Sequence, residues 1–199
     1  MKLSMSMAKG PVFAKTIAKA GKNLGEVMAY TLTNCAFEGR AKLQRDMGKY
    51  IHKPTGATTR GVYYTQAKKN TSKPFSEVKF SPLAWKWMRY SVLGGQRSGP
   101  TLTAPVAAKK NAYGNVVAAQ RAKNILTGEG GFRATLNGTD GVWKRDGRKL
   151  SLMHVYKPSL QYRSRLPMQK IVYDEATRVF KAKFKQNVTK ALKRSSGLS

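Results

Sequence analysis

At 199 residues, with 38 Lys and Arg against 9 Asp and Glu, the chain carries a formal net charge of +29, far from the mixed-sign surface of an ordinary solvated domain. Hydrophobic residues at 41%, with seven Phe, three Trp and nine Tyr, are too many for an intrinsically disordered polycation. The single cysteine, Cys35, excludes an internal disulfide framework and a cysteine-based zinc site, and no apolar run reaches the roughly 18 residues that span a bilayer.

Residues 1–21 mix small residues, Lys and Met around Gly10-Pro11 and read as an extended N-terminal arm. They lack the continuous apolar core of a signal peptide, so the expected compartment is the cytoplasm or a particle assembled there. Residues 22–193 read as one domain. From about Asn23 to Tyr50, Leu24, Met28, Leu32, Cys35/Ala36, Leu43, Met47 and Tyr50 recur at three-four spacing, which predicts a long amphipathic helix with Cys35 as a small buried hydrophobe. His52-Lys53-Pro54-Thr55-Gly56 ends it. Arg60–Ala67 and Glu77–Phe80 are strand-like runs around a Lys68–Pro74 connection and predict a hairpin. Ser81-Pro82 predicts a helix cap, Leu83, Trp87 and Met88 a short helical face, and Gly94-Gly95 its stop.

Residues 98–139, rich in Gly, Ala, Thr and Asn, read as a loose insertion with a helix over Val116–Leu126. Val142–Arg145 and Leu150–Tyr156 flank Asp146-Gly147, whose two residues tolerate positive φ, and so predict a second hairpin. After Pro167, the apolar set Val172, Ala176, Val179/Phe180, Phe184, Val188 and Ala191/Leu192 predicts a second long helix over Ile171–Leu192. Asp174 and Glu175 then fall in its first turn and suit the helix dipole. Residues 194–199 form a C-terminal tail. The resulting fold class is α+β, an antiparallel sheet of hairpins with one face covered by two long helices.

Neither His52 nor His154 has sequence neighbours suggesting a triad or a metal site. The nine acids are scattered, unlike the clustered carboxylates of a metal-dependent nuclease, and Gly128-Glu129-Gly130-Gly131 lacks the Lys-Ser/Thr of a phosphate loop. No enzyme, metal, cofactor or small-molecule substrate is expected. Basic residues are the stronger signal. No acid occurs from Val78 to Gly128 or from Ala176 onward, and bases come singly or in pairs. Trp85-Lys86-Trp87-Met88-Arg89-Tyr90, Trp143-Lys144-Arg145 and Tyr162-Arg163-Ser164-Arg165 interleave rings with cations, a composition able to stack bases and neutralise phosphates. Rings on amphipathic elements more often fill a core, and Trp87 and Trp143 are assigned there. Lys144, Arg145, Arg163, Arg165, Lys181, Lys185 and Arg194 are the candidate contacts to a partner protein or DNA, since Arg pairs with carboxylate or phosphate alike.

Several segments, in order, resemble the minor tail protein Z family of tailed bacteriophages. They are Thr33–Arg40; His52–Thr55 with Thr58–Val62 and Ala67–Asn70; Trp87-Met88 leading to Val92–Arg97; Gly141–Arg145; Tyr162–Pro167; and a closing helix ending in Phe184–Lys193. The likeness touches most of residues 25–193, each piece is short, and residues 1–21 and 98–139 carry no family mark. The resemblance implies a structural virion protein at the head–tail joint, assembled in the host cytoplasm. Its implied partners are copies of itself in a homo-oligomeric ring, portal or connector and tail proteins, and genomic DNA in the channel. The alternative from charge alone is a nucleic-acid-binding structural protein of ribosomal or nucleoid type.

Overall fold

The computed structural model describes residues 2–3, 24–69, 71 and 73–195. The fold is mixed α and β with antiparallel sheets. Where one domain with an insertion is expected, the chain divides into two compact units: Met1–Tyr50 with Gly56–Met88 and Leu166–Ser199, and Ile51–Thr55 with Arg89–Arg165.

In the first unit, helix α1 (Leu24–Tyr50) and helix α5 (Met168–Ser195) pack side by side. Val27 and Met28 of α1 meet Phe184 and Val188 of α5 in one buried cluster, flanked by Leu24, Phe180 and Ala191. The helices come close at Gly39, where an added Cβ would lie 3.0 Å from Val172 Cγ1. Thr31, fully buried, donates to its own helix at Val27 O (2.7 Å) and accepts from Asn187 Nδ2 of α5 (3.1 Å), so the polar groups inside this interface are matched. The opposite side of α1 lies on a three-stranded antiparallel sheet of order β1-β3-β2, formed by Lys2–Leu3, Ser76–Phe80 and Val62–Thr65. Ala29, Leu32 and Ala67 pack there, and the Ala67 N–H donates to Thr33 Oγ1 (3.0 Å).

The β2–β3 hairpin agrees with expectation, whereas the layering differs. The expected two helices on one sheet face become a sequence of sheet, α1 and α5, with α1 the shared middle layer. This requires a helix with two apolar sides, and α1 buries Ala29, Leu32 and Ala36 as well as Val27, Cys35, Leu43 and Met47. Of the expected arm, Lys2–Leu3 pairs with Ser76 and Glu77 of the same chain, and its remainder, like residues 196–199 of the tail, lies outside the described residues. Helix α2 (Gly56–Arg60) carries Thr59, whose carbonyl accepts from Gln44 Nε2 (2.8 Å).

Two expectations about helix faces are corrected. Helix α5 begins at Met168, right after Pro167, so Asp174 and Glu175 sit beyond its first turn and serve as partners of Lys170 (2.9 Å) and Arg178 (2.6 Å) instead of dipole caps. Helix α3 (Pro82–Leu93) starts as expected, with the Ala84 N–H donating to Ser81 Oγ (3.3 Å), yet it buries only Ala84 and Met88. Leu83 is 64% and Trp87 49% exposed. Trp87 is therefore no core residue, because the narrow i,i+4 stripe of this short helix is already filled by smaller side chains.

The second unit holds a two-stranded ladder, β4 (Gly95–Ser98) with β9 (Ser159–Tyr162), and a four-stranded sheet of order β5-β8-β7-β6. Those strands are Thr103–Pro105, Lys149–Tyr156, Thr139–Asp146 and Gly131–Leu136. Residues 98–139 are thus far from a loose insertion: they supply β5, β6, a 3₁₀ turn at Ala118–Gln120 and helix α4 (Ala122–Leu126). Ala108 and Ile125 complete a core with Val142 and Met153. The helix expected over 116–126 is interrupted at Arg121, whose ψ of 143° is extended. Strands β6 and β7 are joined through Asn137 (φ 51°) and Gly138 (φ 74°), both left-handed as a type I′ turn requires. In the β7–β8 hairpin Asp146 pairs with Lys149, so the turn is Gly147-Arg148 with only Gly147 at positive φ (58°). The expected turn is displaced by one residue.

Candidate functional site

Two of the three ring-and-cation segments meet through Arg89-Tyr90 and Tyr162–Arg165, at the end of α3 and the β4–β9 ladder. Gly94 turns the chain out of α3 at φ +71°, and an added Cβ would lie 2.9 Å from Ser164 N and 3.1 Å from Tyr162 O. The close approach is used: the Arg165 N–H donates to Ser91 O (2.8 Å) and Ser164 Oγ donates to Val92 O (2.7 Å). These bonds satisfy carbonyls that the helix end leaves without intrahelical partners. They also fix Tyr162-Arg163-Ser164-Arg165 as an extended strap across that end. Arg163 and Arg165 flank the bonded Ser164 and project into solvent.

Aromatic stacking extends the cluster. Tyr90 of α3 stacks on Tyr162 (centroids 5.0 Å apart, planes at 30°). The Arg89 guanidinium lies 4.7 Å from the Tyr90 ring centre and donates from Nη2 to Tyr90 Oη (2.7 Å). Arg97, exposed on β4, pairs with Leu160 on β9. Four exposed arginines thus lie on these elements, Arg89 on the end of α3, Arg97 on β4 and Arg163 and Arg165 on the strap after β9, and no acid occurs between Val78 and Gly128 or between Gly147 and Tyr173. Arg97, Arg163 and Arg165 are exposed, and their guanidinium groups suit carboxylate or phosphate alike. Sequence reasoning passed over Arg97, because its place on the same ladder as Tyr162 depends on strand pairing between residues more than sixty positions apart.

The other expected contacts lie elsewhere. Lys144 and Arg145 are exposed on β7 near its turn, beside Arg148 and Lys149, and Arg145 is held by its N–H donating to Gly130 O (2.8 Å). Trp143 is half-buried and donates from Nε1 to Ala134 O (3.0 Å). In the first unit, Lys181 and Lys185 are exposed on one face of α5, and Arg194 lies 3.9 Å from Glu26. Three of the seven residues belong to the first unit and four to the second.

Acids in the first unit are all engaged by bases: Glu26 with Lys69, Glu38 with Lys183, Asp46 with Lys42 and Lys49, Glu77 with Lys79, Asp174 with Lys170, and Glu175 with Arg178. Hydrogen bonds from Lys49 and Lys42 hold Asp46 below the usual carboxylate range, and Arg178 does the same for Glu175. In the second unit, Arg133 grips Asp140 through Nε (3.1 Å) and Nη2 (2.8 Å) and lies 4.2 Å from the Tyr156 ring centre.

Cys35 and His154 are enclosed. Burial pushes the Cys35 thiol up to about 11, and the buried His154 donates from Nε2 to Gln120 O (2.7 Å). Among the described residues, no group of three or more His, Cys, Asp or Glu is placed to hold a metal ion, and no helix is long and apolar enough to cross a membrane. Compared with protein families, curated proteins and solved structures, the chain matches none.

Proposed function

We propose that this chain is a structural protein of a tailed-bacteriophage particle, seated at the head–tail joint as a tail-completion or neck component and working by assembly rather than catalysis. It forms a homo-oligomeric ring among portal, connector and tail subunits, with cationic surface facing DNA or acidic neighbours. The observation that carries the reading is the set of exposed arginines, Arg89, Arg97, Arg163 and Arg165, on the end of α3, β4 and the strap after β9, in stretches of sequence that hold no acid. Such a set of charges raises the free energy of the isolated chain through self-repulsion and is stabilised when a neighbour supplies negative potential. The resemblance of six ordered segments to the minor tail protein Z family supplies the particle. Subunit-resolution imaging of intact particles from the phage encoding the chain tests it. Density for the chain in a ring at the joint, with an anionic surface against the arginines, is expected; a chain that stays monomeric and never joins particles overturns it.

The Tyr90–Tyr162 stack capped by Arg89 favours one second reading, a nucleic-acid-binding structural protein. Filter binding across a salt series separates the two. Tight binding of the isolated chain to DNA or RNA, with affinity falling steeply as salt rises, supports the second reading.

A further inference from the structure

In the first unit, α1 and α5 enclose a cleft of about 360 Å³ lined by Glu26, Tyr30 and Asn34 on one wall and Asn187, Lys190 and Arg194 on the other. Both triplets follow helical spacing, so each wall is one stripe of a rigid helix. At the rim, Lys69 Nζ donates to Tyr30 Oη (2.6 Å) and lies 3.4 Å from Glu26 Oε1. Arg194 Nη1 is 3.9 Å from the same carboxylate oxygen.

The charges do not balance. Three cations, Lys69, Lys190 and Arg194, share one carboxylate, Glu26, which leaves two positive charges in the cleft. Lys190 is in no ion pair among the described residues. Tyr30 shares this space: hydrogen bonds from Lys69 and then Arg194 lower its phenol pKa from the ordinary value. Because Tyr30 Oη accepts from Lys69, its own proton remains free to donate. Ammonium, guanidinium and phenol donors thus approach one small space from both walls, and an ion with acceptor oxygens pointing in several directions uses them better than a planar carboxylate can.

We propose that this cleft is a binding site for a phosphoryl dianion, held by Lys190 and Arg194 from α5, Lys69 from the loop after β2 and the Tyr30 hydroxyl from α1. Glu26 keeps Lys69 and Arg194 in place. The two net charges match those of the ligand, which is either free phosphate or a terminal phosphate monoester of a nucleic-acid strand, an internal phosphodiester carrying only one charge. This site is independent of the phage assignment, since it needs only the first unit.

Tyr30 supplies the readout. A bound dianion offsets the cations that favour phenolate, so the phenol pKa rises. Tyrosinate absorbance is titrated on the full chain, with Tyr30→Phe subtracted, in chloride, in inorganic phosphate and with a short 5′-phosphorylated DNA duplex, all at matched ionic strength. Phosphate or duplex is expected to move the Tyr30 midpoint up by about one pH unit relative to chloride. A shift with inorganic phosphate identifies free phosphate as sufficient; a shift with duplex alone identifies the strand. Lys190→Ala with Arg194→Ala is expected to abolish the shift, and Lys190→Arg to keep it. Both positions are exposed on the helix, and unchanged helical circular dichroism confirms folding. The proposal is overturned if neither phosphate nor duplex exceeds chloride, or if the double variant keeps the shift.

Discussion

Gly94 carries more of the strap's geometry than any arginine does. Its φ of +71° lies where a side chain is strained, and the space its Cβ would occupy belongs to the Ser164–Arg165 strap. Gly94→Ala is expected to cost about 1–3 kcal/mol, read as a lower urea midpoint. Gly48 is the useful contrast. It sits within α1 with nothing within 4 Å of an added Cβ, so Gly48→Ala is expected to stabilise by roughly 0.5–1 kcal/mol through helix propensity. Gly94 was legible in the sequence as a helix stop, but its second role was not. A glycine pair after a helix signals a turn, whereas the strap it accommodates arrives some seventy residues later. The exposure of Trp87 was hidden for a related reason: which stripe of a short helix faces inward depends on what the rest of the chain presents to it.

Both long helices were readable because each keeps its apolar spacing over many turns, and local periodicity needs no knowledge of partners. What the helices pack against was not readable. The two apolar sides of α1 match α5 and the β2–β3 hairpin, while a single-sequence pattern shows only the sum. The Asn137-Gly138 hairpin was within reach of the sequence, since Asn-Gly between Phe132–Leu136 and Thr139–Trp143 is a strong turn signal, and the high glycine content of the surrounding segment masked it. At this scale Gly39 sets how closely α1 and α5 approach. Gly39→Val would force Val172 away, and an overpacking loss of about 1–3 kcal/mol is expected. Val172→Ala in the same chain should recover part of it, a coupling that a double-mutant cycle in urea measures. The ion pairs on these helices set their acid sensitivity. Asp46 and Glu175 have folded pKa values below the unfolded ones, so their contribution is present in full above the unfolded values, near 4, and is lost as pH falls through the folded values. Thermal stability should therefore change little from pH 7 to about 5 and fall steeply below about 4. Asp46→Asn and Glu175→Gln should each lower the melting temperature at pH 7 while flattening that acid limb.

For the whole molecule, the decisive question is which electrostatic effect dominates at a net charge of +29. Local ion pairs stabilise the fold, and salt weakens them; dispersed like charges destabilise it, and salt weakens that repulsion as well. The count of partners decides the sign. The first unit's six acids are already engaged, and most pairs are half-exposed, where each contributes only up to about 1 kcal/mol. Nearly thirty cations remain without a carboxylate to offset them, because 38 bases meet only 9 acids. Repulsion among so many charges outweighs a handful of exposed pairs, so the isolated chain should gain stability as sodium chloride rises from about 10 to 300 mM, over which the Debye length shrinks from about 30 Å to under 10 Å. Scanning calorimetry of the purified protein reads this as a rising melting temperature. The same salt should weaken any complex in which an anionic neighbour meets Arg89, Arg97, Arg163 and Arg165, so folding and assembly respond in opposite directions. A melting temperature that falls with salt would mean that the paired acids dominate, and the excess cations would then need no external partner to be tolerated.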